Sequence, residues 1–107
     1  LARTASQLRV DADHLDAAAD AEVTRLGPGP WAVEALTGIP EAVRTRVWRR
    51  LLVAAGAPAG QVSGRHVQAC DALLLAWHGQ GPIHVPGDLR VTRSAIGVSI
   101  GPPALVE

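Results

Sequence analysis

The first 26 residues contain neither Gly nor Pro, and their apolar side chains fall on one stripe of a helix. Read in steps of four and three, the stripe is Leu1, Ala5, Leu8, Ala12, Leu15, Ala19, Glu22, Leu26, with seven of the eight positions apolar and large alternating with small. At about 100° per residue these positions share one narrow seam, and at about 1.5 Å rise per residue the helix is roughly 38 Å long. Gly27-Pro28-Gly29-Pro30 must stop it. A helix with so narrow a seam is not stable alone, so it predicts a partner helix from the same chain or another. Arg9 and Asp13 are spaced for an i,i+4 pair off the seam.

The remaining chain divides in order. Residues 27–39 read as a linker carrying the apolar segment Trp31 to Leu36, either a turn of helix or an extended piece. A second helix is expected from Pro40 to Ala55, stopped by Gly56 and Pro58. Its apolar face is Val43, Val47, Trp48, Leu51, Leu52, Ala54 and Ala55, and Arg44 projects from that face. An Arg so placed needs a partner, and the acidic residues of the first helix are the candidates. Ser63 is a plausible N-cap for a third helix, residues 64–78, with Val67, Cys70, Leu73, Leu74 and Trp77 as its stripe and His66 within it. The period then changes to two: Ile83-His84-Val85, a Pro86-Gly87-Asp88 turn, Leu89 to Arg93, and a third strand at Val98-Ser99-Ile100. Residues 101–107 read as a loose tail. The expected fold is a mainly helical α+β domain: a long first helix, two shorter helices packed against it, and a hairpin or three-stranded meander.

Composition bounds the function. The chain has 107 residues, a formal net charge of zero, a single cysteine and no Met. Starting at Leu1 without any Met, it is expected to be a fragment of a longer protein. No stretch approaches the ~20 apolar residues of a membrane span, and no signal peptide is visible. Cys70 alone cannot form an intrachain disulfide, which suits a reducing, cytoplasmic setting. Phosphate-loop, dinucleotide, nucleophile-elbow and paired Cys-x-x-Cys motifs are all absent from the sequence. His66 and Cys70 lie one helical turn apart, but zinc takes three or four protein ligands and the other histidines fall on separate elements. No metal site and no catalytic residue is therefore expected. Asp11, Asp13, Asp16 and Asp20 spread around a helix surface and read as solvating charges.

Arg46, Arg49 and Arg50 are the binding candidates. They lie within about 100° of one another on the side of the second helix away from its apolar stripe. Arg pairs bidentately with phosphate and stacks on bases. The competing reading is a solvated face with local salt bridges.

Three stretches resemble one family in order and spacing: LARTASQLRVDADHLD at 1–16, IPEAVRTRVWRRLLVAAG at 39–56, and HVQACDALLLAWHGQGPIHVPGDLRVTR at 66–93. They resemble the region that follows the catalytic domain in bacterial tRNA(Ile)-lysidine synthetases. The resemblance implies a domain that helps hold tRNA(Ile). It also implies a missing N-terminal catalytic domain that uses ATP, with Mg, to activate C2 of the wobble cytidine for attack by lysine, releasing AMP and pyrophosphate. That chemistry belongs to a Ser-Gly-Gly-x-Asp-Ser loop absent from this chain, so the fragment is expected to need no cofactor and to be inactive alone. The alternative is a non-catalytic structural module that dimerises through the Leu1–Leu26 seam.

Overall fold

A computed structural model describes residues 4–103. Helix α1 spans Ala5–Leu26, α2 Val33–Thr37, α3 Glu41–Ala55 and α4 Gly64–Leu75, with a single 3-10 turn at Ala59–Gln61 between α3 and α4. Strands β1 (Ile83–Val85), β2 (Leu89–Ser94) and β3 (Gly97–Gly101) follow as an antiparallel meander in the order β1-β2-β3. The expected α+β architecture is present. Its boundaries differ at several points. The first helix, expected from Leu1, begins at Ala5 after an extended Thr4, because Thr4 and Gln7 cap it there; of the two readings of the linker segment, the turn of helix is the one formed, as α2. The last helix ends at Leu75, three residues before the expected 78, and Gly101, expected in the tail, pairs with Arg90. Leu1, Arg3 and residues 104–107 lie outside the described residues.

Local chemistry sets the helix ends. Thr4 and Gln7 form a reciprocal capping box at the start of α1: the Gln7 N–H donates to Thr4 Oγ1 (3.2 Å) and the Thr4 N–H to Gln7 Oε1 (3.0 Å). Ser63 caps α4 in the same manner, and its N–H donates to His66 Nδ1 at 3.0 Å. His66 is thus occupied by the cap, one turn away from the buried Cys70. Burial, and secondarily the charge of Asp71, push the Cys70 thiol up to about 12, so it stays protonated and unreactive at neutral pH.

The seam of α1 closes only along its second half. Ala19 is fully buried, Leu15, Ala18, Val23 and Leu26 pack on the core, and α3 is the main partner of α1. Residues 4–10 are all exposed, Leu8 at 53%, and the molecule measures 57 × 28 × 25 Å. The first half of α1 is therefore solvated, and no Arg9–Asp13 ion pair forms among the described residues. Of the two shorter helices expected on α1, α3 packs there directly, whereas α4 packs on α3 and α2. This divides the seam into two energetic regimes. Ala19→Leu should cost about 1–3 kcal/mol, because an added side chain forces the two helices apart. Leu8→Asp should change stability by no more than ~0.5 kcal/mol, whereas a seam closed within one chain along its whole length would make that change unfold the domain. Urea unfolding of the two variants checks both values, and a large loss in Leu8→Asp would contradict this division.

The sheet is fixed to the helices at two points. Gly87 has φ 86°, and a Cβ there would meet the Gly56 carbonyl oxygen at 2.9 Å, so the β1–β2 turn sits against the end of α3. Trp31, in the segment before α2, exchanges two backbone hydrogen bonds of 2.8 Å with Val98 of β3. Its indole N–H also donates to the Gly27 carbonyl at 2.9 Å. Trp48, Leu36, Leu52, Leu73, Val47, Val91 and Val98 form the centre of the core.

Candidate nucleic-acid interface

The four arginines of α3 separate into three environments. Arg44 is 5% exposed and belongs to the core. Its Nε donates to Asp71 Oδ1 at 2.6 Å, its Nη2 to Asp71 Oδ2 at 2.9 Å, and its Nη1 to the Ile39 carbonyl at 2.8 Å. The Trp48 indole N–H donates to the same Asp71 oxygen at 3.0 Å. The Asp71 hydrogen bonds, opposed by desolvation, hold the Arg44 guanidinium above its ordinary pKa. The partner is thus Asp71 of α4, where the acidic residues of the first helix were expected. Asp71 carries a signal that sequence reading passed over: it is the sole acidic residue between Glu41 and Asp88.

Arg46 and Arg50 form the second environment. Arg46 Nε donates to Asp16 Oδ1 at 3.1 Å, while Arg50 donates to Asp20 (2.7 Å) and Asp16 (3.3 Å). These contacts clamp α1 to α3. The Asp20 hydrogen bond leads the causes that raise the Arg50 pKa, against a smaller desolvation effect. The pairs are partly solvated, so each contributes about 0.2–1 kcal/mol. Asp16 and Asp20, expected as solvating charges, are therefore interhelical partners, and Arg46 and Arg50 are not idle on their face.

Arg49 is the third case. It is exposed, and its Nη1 donates to the Val62 carbonyl at 2.6 Å. Among the described residues it has no carboxylate partner, and the same holds for Arg65, exposed in the first turn of α4. Arg46 and Arg49 line a groove of about 250 Å³ with Thr45, Gly64, Val67 and Gln68, between α3 and the start of α4. One guanidinium nitrogen of Arg49 is pinned by backbone, and the residue is exposed. That is a preorganised donor for an anionic oxygen.

Trp77 also differs from expectation. Trp77 lies beyond the end of α4 and is 43% exposed, not part of a core stripe. Arg93 of β2 donates to the Leu73 carbonyl at 2.7 Å, satisfying the open end of α4, and its guanidinium carbon sits 4.3 Å from the Trp77 ring centroid. Among the described residues, no three His, Cys, Asp or Glu side chains gather into a metal-binding group, and no helix is long and apolar enough to cross a membrane.

The family model described as "TilS substrate binding domain" matches residues 32–96, which include α2, α3, α4, β1 and β2. A tRNA(Ile)-lysidine synthase of Thermobifida fusca is 50% identical over 95 residues, covering 87% of this chain and 29% of the relative. Those of Streptomyces coelicolor and Mycobacterium tuberculosis are 43% and 39% identical, covering 87% and 91% of this chain and 27% and 31% of theirs. This chain therefore spans less than a third of the length of these relatives. No solved structure matches it. With the family model covering most of the helical body and the sheet, and relatives this similar over most of its length, the chain belongs to the family of TilS substrate-binding domains.

Proposed function

We propose that this chain holds and positions tRNA(Ile) within a cytoplasmic tRNA(Ile)-lysidine synthase, a ligase whose catalytic domain joins lysine to the wobble cytidine using ATP and Mg. None of that chemistry is assigned to a residue of this chain; its contribution is to bind and orient the RNA. The observation that carries the reading is the groove between α3 and α4, where Arg49 is fixed by the Val62 carbonyl and, among the described residues, has no carboxylate to neutralise it. Arg65 adds a second cation on the same end of α4. Arg46 and Arg50 join the interface as flanking charges already half-neutralised by Asp16 and Asp20.

Phosphate contacts of this kind are electrostatic, and each contributes up to about one unit of slope in log K against log salt. Arg49→Glu with Arg65→Glu in the full-length synthase should weaken tRNA binding at low salt, with the loss shrinking as salt rises. The melting temperature should move little, since both residues are exposed. Arg50→Glu should behave differently, because a new carboxylate would face Asp16 and Asp20 and loosen α1. Affinities at two salt concentrations, taken with melting curves, check this. Unchanged low-salt affinity in the Arg49/Arg65 double reversal would return that face to a solvated surface. A second reading, dimerisation through the first half of α1, draws on the exposure of Leu8 and Val10. Light scattering of the Leu8→Asp protein against its parent tests it.

A further inference from the structure

A second cleft lies at the opposite end of α4 from the Arg49 groove. It has a volume of about 570 Å³, and Trp77, Arg93, Glu34, Ala95 and Ile96 are among its lining residues. The volume is in the range of sites that take one small molecule or one nucleotide. Trp77 is 43% exposed and Ile96 77% exposed, so neither is held there by the demands of the core. Arg93 cannot swing away, because its Nη1 is tied to the Leu73 and Leu74 carbonyls and its guanidinium lies over the Trp77 ring. Among the described residues its Nε and Nη2 have no acceptor, and the Glu34 carboxylate has no donor. One cleft thus holds a cation and an anion that do not pair with each other, beside an exposed indole.

We propose that this cleft takes a single unpaired guanine nucleotide of the RNA substrate. The inference rests on the tRNA-binding reading above and extends it to a second contact. The indole supplies a stacking face for the base. The outward donors of Arg93 suit a phosphate oxygen. Glu34 can only accept hydrogen bonds. Guanine presents two adjacent donors, N1–H and the N2 amino group, that match the two oxygens of a carboxylate, whereas adenine and uracil present no such pair. A partner protein could also cover an exposed Trp, but a carboxylate and a guanidinium lining the same cleft as a flat apolar ring are better matched by a base and its phosphate.

The test uses the full-length synthase with guanosine, adenosine and uridine monophosphates as probes, followed by tRNA(Ile). Trp31 and Trp48 of this chain are buried, so the part of the quench that is lost in Trp77→Ala reports on this cleft. Guanosine monophosphate should quench saturably and at lower concentration than the other two. Trp77→Ala should abolish the quench and weaken tRNA binding by about five- to a hundredfold, the loss typical of one base–aromatic stack. Trp77→Phe should retain most of the affinity. Glu34→Gln should keep stacking but lose the preference for guanine. Equal quenching by all three nucleotides in the parent would overturn the guanine assignment. Parental tRNA affinity in Trp77→Ala would overturn the cleft altogether, and a lowered melting temperature in that variant with unchanged tRNA affinity would instead mark a protein-covered surface. If Trp77→Ala binds normally while the Arg49/Arg65 reversal does not, only this inference fails. If both bind normally, the tRNA-binding reading fails with it.

Discussion

Asp71→Ala is expected to destabilise the domain by about 3–5 kcal/mol, the cost typical of removing one partner from a buried ion pair. Three donors converge on this carboxylate: Arg44 Nε at 2.6 Å, Arg44 Nη2 at 2.9 Å and the Trp48 indole N–H at 3.0 Å. Without it, a guanidinium on a residue only 5% exposed keeps a single hydrogen bond, to the Ile39 carbonyl, and the indole of the fully buried Trp48 keeps none. A domain with a total stability of about 5–15 kcal/mol would lose a large share of it. The size of the effect does not mean that the pair stabilises the fold by the same amount. Desolvation of both ions offsets most of their attraction, so Arg44→Met combined with Asp71→Leu should recover much of the loss. Denaturant unfolding of the single and double variants measures both terms. A loss below about 1 kcal/mol in Asp71→Ala would show that water reaches the guanidinium and that the network is not a core element.

Gly97→Ala should be nearly as damaging, at about 3 kcal/mol or more, through backbone alone. Gly97 has φ 131°, a conformation that costs any L side chain strain. In addition, a Cβ there would lie 2.2 Å from the Trp31 carbonyl oxygen. That oxygen accepts the Val98 N–H, so the clash must break the two-bond bridge between the segment before α2 and β3. Each bond contributes about 0.5–1.5 kcal/mol, and Trp31, 9% exposed, loses its seat with them. Gly64→Ala serves as the control. Nothing lies within 4 Å of its Cβ position and it sits in the first turn of α4, so it should be neutral or stabilising by up to about 1 kcal/mol. Thermal melts of the two variants separate a glycine required by close approach from one that is not. Equal melting temperatures would contradict the tight bridge.

The elements were legible because each depends on neighbouring residues. Ser63 caps α4 through a side chain three residues away, Gly56 ends α3 in the left-handed region, and the alternation around Gly87-Asp88 sets a hairpin; the Thr4 cap of α1 was not legible, because the apolar stripe runs on through it. The apolar face of α3 was legible too, with Val47, Trp48 and Leu52 buried as its periodicity requires. The end of α4 was misplaced because Leu74, Leu75 and Trp77 continue a helical stripe in sequence. In the structure Arg93 takes the terminal carbonyls and Trp77 turns outward onto the guanidinium.

The candidate site was legible only as a list of charges. Arg44, Arg46, Arg49 and Arg50 are the same residue within seven positions, yet one is buried against Asp71, two bind Asp16 and Asp20, and one donates to a backbone carbonyl with no carboxylate partner among the described residues. Residue spacing assigns a side chain to a face of its own helix. It carries no information about which helix lies opposite, and it is that neighbour which decides whether a guanidinium is neutralised. The sequence by itself therefore determined the helices, the meander and the family. The tertiary structure alone decided how far α1 is covered, which carboxylate Arg44 requires, and which arginines have no carboxylate partner among the described residues, because each depends on groups brought together across 20 or more residues of chain.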